Sequence, residues 1–225
     1  MNMNNNKFIC IEGNIGSGKS TLLKELEEKY KENKEIIFLK EPVDEWATIK
    51  DEKDVTMLEK FYGNQEKYSF PFQMMAFISR LSILKKVMKE NKNTIIISER
   101  SLFTDRYVFA KMLYDQKKIE DVNYQIYLKW FDEFANEFPV NNVIYVNADP
   151  SICYQRINKR SRNGEENIAL QYLELCHNYH EDFIKINMDN CQKLLLDGNI
   201  DIFEKNDTLD SWIQLIDDFI NCYMV

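Results

Sequence analysis

The sequence predicts an α/β fold of three layers, a parallel sheet enclosed by helices on both faces. Three observations carry this reading. Five short runs rich in Ile, Val, Leu and Phe alternate with long, charged, helix-favouring stretches. One run, Ile95-Ile96-Ile97, is apolar at every position, as a central strand buried on both sides must be. A glycine-rich loop, Gly13 to Ser20, joins the first run to the first helical stretch.

Taken in order, residues 7–11 read as the first strand and 20–31 as the helix after it. Residues 35–39 are the second strand. Residues 64–91 are a long helical stretch without glycine, with Pro71 near its first turns. Residues 94–98 are the third strand, followed by helical stretches near 105–115 and 122–137. Residues 142–147 are the fourth strand, after which Asp149-Pro150 supplies an N-cap with proline at the first helical position. Residues 192–196 are the fifth strand and 209–221 a closing helix. Strands joined through helices pair in parallel by right-handed crossovers. No Gly/Pro-rich linker divides the 225 residues, so 1–225 read as one domain, long enough to bury about 70% of its unfolded surface.

Composition narrows the function classes. A net charge of −8 argues against a nucleic-acid polymer as partner. The apolar stretches fall short of the ~18 residues of a membrane span. Residues 1–6 read as a short, disordered polar tail that leaves no room for a signal peptide. The five cysteines are an odd number and form neither a disulfide framework nor a paired CxxC site; a reduced, cytoplasmic protein is expected.

Gly13-Asn14-Ile15-Gly16-Ser17-Gly18-Lys19-Ser20 matches the pattern G-x-x-x-x-G-K-[ST]. Glycines let backbone N–H groups converge on phosphate oxygens, and the following helix adds its positive end. Gly13, Asn14, Gly16, Ser17, Gly18, Lys19, Ser20 and Thr21 are the expected phosphate-binding residues, with Lys19 on the β/γ-phosphates and the Ser20 hydroxyl on Mg²⁺. Neither N-K-x-D nor D-x-x-G occurs, and the third strand ends in Ser98-Glu99-Arg100 rather than in Asp, which argues against a switch GTPase.

Three further groups carry candidate chemistry. Glu41, after the second strand, is placed to accept the proton of a hydroxyl under phosphoryl transfer; taken alone, it reads better as part of a turn-forming Glu-Pro on a solvated loop. Glu99 and Arg100 end the third strand and suit Mg²⁺ and an oxygen being phosphorylated, or a charge pair at a helix start. Arg156 and Arg160 share a helix face, and with Arg162 and Lys159 suit a lid over a triphosphate, spanning about 159–167. The alternative is a solvated basic helix end.

Together these residues resemble the deoxynucleoside kinase family. Ile11-Glu12-Gly13-Asn14-Ile15, Glu41-Pro42-Val43 with Trp46, Phe72-Gln73 with Ser79-Arg80, Glu99-Arg100-Ser101 with Asp105-Arg106-Tyr107, and Arg160-Ser161-Arg162-Asn163 occur in the family's order and approximate spacing. The resemblance covers about residues 7–197. It implies the P-loop NTPase-type fold with a five-stranded parallel sheet, and a homodimer built on helix faces. It also implies a salvage enzyme moving the γ-phosphate of ATP, or another nucleoside triphosphate, onto the 5′-hydroxyl of a deoxynucleoside. By the same resemblance Glu41 is the base, Arg100 contacts the 5′-oxygen, and Glu99 joins Ser20 at Mg²⁺. Arg156, Arg160 and Arg162 go to the donor phosphates. Gln73 meets the base edge; Phe72, Phe109 and Trp46 wall the base, with Ile15 and Leu58 among the nucleoside contacts. Tyr62 and Glu165 hold the 3′-hydroxyl, and Ala76, Arg80 and Asp105 face the base edge. The Arg80–Asp105 pair implies deoxycytidine or a purine deoxynucleoside over thymidine, or else is an ordinary helix–helix ion pair. The chain departs from the pattern at Gly164, a position often acidic in deoxycytidine-type members. The adenine-side loop, 197–201, aligns weakly.

Two other readings compete. A thymidylate-type monophosphate kinase shares the scaffold, but usually has arginine before the Glu-Pro step and glycine after it, where this chain has Lys40 and Val43. A non-catalytic nucleotide-binding module would not need Lys19, Ser20, Glu41, Glu99 and Arg100 together. His177 and His180 read as two partly exposed helix residues rather than a metal site. Met57, Met74, Met75, Met88 and Met112 read as core fillers, and Phe131, Phe134 and Phe138 as a packing stripe suited to a dimer face.

Overall fold

The computed structural model describes residues 6–202 and 206–222. In chain order its elements are β1 (Lys7–Glu12), α1 (Lys19–Lys29), β2 (Ile36–Leu39), α2 (Val43–Trp46), α3 (Met57–Gly63) and α4 (Gln65–Glu90). They continue with β3 (Ile95–Glu99), α5 (Leu102–Thr104), a π-helical segment Asp105–Ala110, α6 (Lys111–Asp115) and α7 (Asp121–Phe134). β4 (Asn142–Asn147), α8 (Pro150–Arg160), α9 (Leu170–Asp182), β5 (Gln192–Asp197) and α10 (Asn206–Asn221) complete the chain.

The five strands form one parallel sheet in the order β2-β3-β1-β4-β5. Residue alternation along a strand assigns each side chain to a face. Ile9, Ile11 and Ile97 pack with Leu22, Leu23 and Leu26 of α1 and with Trp212, Ile216 and Ile220 of α10. Phe8 and Ile96 face the other way, onto Phe77 and Leu81 of α4 and Tyr127 and Phe131 of α7. Each such side chain, fully buried, contributes about 1.5–3 kcal/mol. Because both faces are covered, both sets must be apolar, which is what the Ile95-Ile96-Ile97 run records.

Register positions the site. Ile11 stands beside Glu99 across β1 and β3, and Leu39 beside Ser98 across β2 and β3. The chain therefore leaves β1, β2 and β3 at one edge of the sheet, bringing Gly13, Glu41 and Arg100 together. This is the carboxyl edge where ligands bind in open α/β sheets.

Several expectations need correction. Residues 1–5 of the expected tail lie outside the described residues. Asn6, expected to be disordered with them, accepts a hydrogen bond from the Thr94 N–H at 3.0 Å and donates to the Asn91 carbonyl at 3.2 Å. Pro150 opens α8, but the Asp149 side chain makes no capping bond. His180 is fully buried rather than partly exposed, because its face of α9 turns inward and its Nδ1 lies 2.7 Å from the Cys176 carbonyl. Phe131 and Phe138 are buried inside the domain, where Phe131 meets Phe77 and Phe138 meets Phe8, so that stripe belongs to the core and not to a dimer face. The short helix α3 and the helix α9 escaped the element-by-element reading.

Part of the outward side of α7 is apolar, beside exposed Asp121, Gln125, Lys129, Asp132 and Glu133. Val122, Ile126 and Trp130 are 65%, 40% and 47% exposed at i, i+4 and i+8, and Ile78 on the adjoining α4 is 49% exposed. A stripe at that spacing is one helix face. If it meets a second copy of the chain, Trp130→Glu should convert a dimer to a monomer in light scattering without lowering the melting temperature. A wild type that is monomeric throughout would refute a dimer.

Candidate active site

The glycine-rich loop between β1 and α1 takes backbone conformations that L side chains rarely adopt: φ is 144° at Gly13, 80° at Gly16 and 105° at Gly18. A Cβ at Gly13 would lie 2.5 Å from the Val146 carbonyl oxygen, and one at Gly16 2.6 Å from that of Cys153. Gly18 caps α1 without a side chain, so the first N–H groups of that helix remain available to an anion. Lys19 is buried, with Nζ donating to the Asn14 carbonyl at 2.7 Å. Burial, reinforced by Arg100, depresses its pKa to about 7. Asn14 is turned away from the loop's mouth and donates to the Leu173 carbonyl at 2.9 Å.

Glu41 stands on the loop between β2 and α2. Its Oε1 accepts from Arg100 Nη1 at 2.7 Å and from Arg80 Nη2 at 3.2 Å. Burial alone would raise its pKa, but the charges of Arg100, Arg80 and Lys19 outweigh that and hold it at about 2. Arg80, on α4, also donates through Nε to Asp105 Oδ2 at 3.0 Å and through Nη1 to the Glu99 carbonyl at 2.7 Å. Burial pushes the Asp105 carboxyl up, against the pull of Arg80. Arg100 has φ 63°, a conformation that costs a non-glycine residue about 1–3 kcal/mol. It is pinned there: its N–H donates to the Ile11 carbonyl at 3.0 Å, and its carbonyl accepts from Ser98 Oγ at 2.9 Å. Its guanidinium carbon lies 5.1 Å from the centre of the Phe109 ring.

Ser20 Oγ donates to Glu99 Oε1 at 2.6 Å. A hydroxyl and a carboxylate this close, beside a phosphate loop, are hard oxygen donors of the kind that hold Mg²⁺ together with substrate phosphates and water.

A cavity of about 420 Å³ runs from this loop to the first half of α4. Of the residues read from sequence, Ile15, Gly16, Ser17, Gly18, Lys19, Ser20, Thr21, Glu41, Glu99 and Arg100 line it. So do Trp46, Leu58, Tyr62, Phe72, Gln73, Ala76, Asp105, Phe109, Arg156, Arg160, Arg162 and Glu165. Gly13, Asn14 and Arg80 stand behind its wall. At the far end the Phe61 and Phe72 rings stack at 4.4 Å, and the Trp46 ring meets Phe72 edge-on at 5.5 Å. Trp46 is fixed by Nε1 donating to Ser79 Oγ at 2.9 Å. Gln73 is buried with its Oε1 unpartnered. The π-helical segment carries both Asp105 and Phe109 to the cavity, a local geometry found often at functional sites.

Arg156 ties the loop to the segment after β5, donating to the Gly198 carbonyl at 2.7 Å and the Ser17 carbonyl at 3.3 Å. The lid turn begins at Ser161, whose φ of 48° ends α8. Glu165, not Glu166, reaches the cavity. Residues missed from sequence are Phe61, Tyr172, Ile202 and Trp212 on the wall, and Glu12 beneath it. Glu12 is buried, accepts from Thr104 Oγ1 at 2.6 Å on each oxygen, and is pushed up in pKa by burial. It braces the turn carrying Asp105. Its signal was a charged residue directly after the apolar run Phe8 to Ile11.

Such a cavity can bring a phosphoryl group, held by backbone N–H groups and Lys19, toward a hydroxyl near Glu41, which defines a phosphotransferase. Comparison with known proteins then fixes the family. Residues 9–221 match the family model described as deoxynucleoside kinase. The deoxycytidine kinases of Bos taurus and Homo sapiens are each 34% identical, the alignments covering 96% of this chain and 91% of theirs. The mitochondrial deoxyguanosine kinase of Xenopus laevis is 31% identical, over 89% of this chain and 84% of its own. The chain belongs to the deoxynucleoside kinase family, enzymes that transfer a phosphoryl group from a nucleoside triphosphate to the 5′-hydroxyl of a deoxynucleoside.

If Glu41 is the base, Glu41→Gln should lower kcat about 10²–10⁴-fold while the nucleoside KM changes little, because a general base acts mainly in the transition state. With its pKa near 2, Glu41 should contribute no acid limb to kcat/KM between about pH 5 and 7. A variant within a few-fold of wild type would remove Glu41 from the base's role.

Proposed function

We propose that this kinase prefers deoxycytidine or a purine deoxynucleoside to thymidine, with ATP or another nucleoside triphosphate as donor. The observation that carries the proposal is the polar end of the cavity. Gln73 presents an unpartnered amide oxygen, and Asp105, paired with Arg80, presents a carboxylate. Two acceptors there suit a base with an exocyclic amino group, which cytosine, adenine and guanine have and thymine lacks. A site built around such a hydrogen bond rejects an analogue that leaves it unmade.

In this reading the base lies between Phe72 and Phe109, and the sugar lies against Tyr62 and Glu165. The 5′-hydroxyl sits at Glu41 and Arg100. Glu41 orients the hydroxyl and accepts its proton as the new P–O bond forms, while Arg100 steadies the oxygen. The donor phosphates lie over the loop, where Lys19, Arg160 and Arg162 offset the charge that spreads across the transferred group. Ser20 and Glu99 would hold Mg²⁺, which supplies charge neutralisation between the donor phosphates. Arg156, with 200–202 and Trp212, borders the end left for the donor base.

A monophosphate acceptor fits less well. The acceptor-end arginines, Arg80 and Arg100, are already engaged by Glu41 and Asp105. The exposed apolar stripe of α7 supports a homodimer. Among the described residues no helix is long and apolar enough to cross a membrane; we place the enzyme in the cytoplasm, in nucleotide salvage.

An ADP-release assay with Mg·ATP should show turnover of deoxycytidine, deoxyadenosine or deoxyguanosine above thymidine, and none of the monophosphates. Arg80→Met with Asp105→Ala should shift the kcat/KM ratio toward thymidine. An unchanged ratio, or thymidine as the best wild-type substrate, would overturn the assignment of base preference.

A further inference from the structure

Glu165 is held from one side and open to the cavity on the other. The residue is buried, 5% exposed, and lines the cavity beside Tyr62. Arg160 engages both carboxylate oxygens, through Nε at 2.9 Å and through Nη2 at 2.7 and 2.6 Å. Arg162 Nη1 adds a third donor at 3.3 Å. The arginine side chains are 32% and 39% exposed, so they are the partners with room to move. The turn carrying Glu165 has less. Gly164, at φ 89°, lies so close to α3 that a Cβ there would come within 3.2 Å of the Glu59 backbone nitrogen.

We propose that Glu165 is a positioning residue for the two lid arginines as well as a contact to the acceptor, and that this shared carboxylate couples donor binding to acceptor binding. The proposal rests on the assignment of Arg160 and Arg162 to the donor phosphates and of Glu165 to the 3′-hydroxyl. A triphosphate over Lys19 draws the arginines off Glu165 and frees oxygen lone pairs that can accept the hydroxyl's hydrogen bond. A 3′-hydroxyl on Glu165 occupies a lone pair and loosens the bidentate hold on Arg160. Each ligand breaks the same ion pair, so the first to bind removes a cost from the second. Linkage makes the factor equal in both directions. The arginines are partly exposed, which places that factor at the low end of allosteric couplings, about 5-fold.

Titration calorimetry on the full chain with a non-hydrolysable ATP analogue and Mg²⁺ tests this. In wild type, saturating deoxycytidine should tighten the analogue about 5-fold, whereas 2′,3′-dideoxycytidine should not. Glu165→Gln should bind the analogue alone at least as tightly as wild type, because its arginines are already released, and should gain less than about 2-fold from deoxycytidine. A merely structural role would weaken both. Retained coupling in the variant, weaker donor binding at an unchanged melting temperature, or equal coupling with the dideoxynucleoside would each overturn the proposal. If the variant melts lower, the dideoxynucleoside comparison on wild type decides. A wild type that phosphorylates no deoxynucleoside defeats the substrate assignment instead, and the donor-alone comparison still reads the Glu165–arginine pair.

Discussion

Two buried guanidinium groups share one carboxylate that is only 13% exposed, and much of the site follows from that. Neither Arg80 nor Arg100 can lose its charge, and an unpaired buried cation would be strongly destabilising. Glu41 is therefore kept ionised in a place where burial alone would raise its pKa. Arg80 extends the constraint, because its other donors take the Glu99 carbonyl and Asp105. One guanidinium thus sets the end of β3, the first residue of the π-helical segment and the carboxylate of β2's loop. The residues proposed to read the base and to orient the hydroxyl are thereby tied into one unit.

A carboxylate with so low a pKa is a weak proton acceptor. Phosphoryl transfer tolerates this, since its transition state is loose and asks chiefly for positioning and for stabilisation of spread charge. The structure concentrates on those two demands. Arg100 is held in a strained backbone conformation by bonds to Ile11 and Ser98, which fixes its guanidinium against Glu41. Phosphate binding is similarly prearranged: Gly13 and Gly16 pass so near the Val146 and Cys153 carbonyls that no side chain fits.

The sheet was readable from sequence because both of its faces are covered, which forces unbroken apolar runs such as Ile95-Ile96-Ile97. The phosphate loop was readable because its glycines serve backbone geometry that no other residue supplies. Elements that carry little periodic signal were not. The helix α3 is seven residues long, too short for a pattern, yet it carries Leu58 and Tyr62 to the cavity. Residue types alone also could not tell which arginines face a ligand and which face a carboxylate. Arg80 reads as a base contact by resemblance but sits behind Asp105, while Arg160 lines the cavity and is bonded to Glu165 as well. Those distinctions depend on the third dimension. His180 and Asn6 were misjudged for a related reason, since local polarity says nothing of which face of a helix turns inward or which loop lies opposite.

The ionisation of Glu41 is the central claim, and isotope-edited difference infrared spectroscopy of wild type against Glu41→Gln reads it directly. A carboxylate band persisting from neutral pH down to about pH 4, below the usual range of a buried glutamic acid, is the predicted result. A protonated-acid carbonyl band already present at about pH 6, a signature of burial winning over the two arginines, would contradict the account.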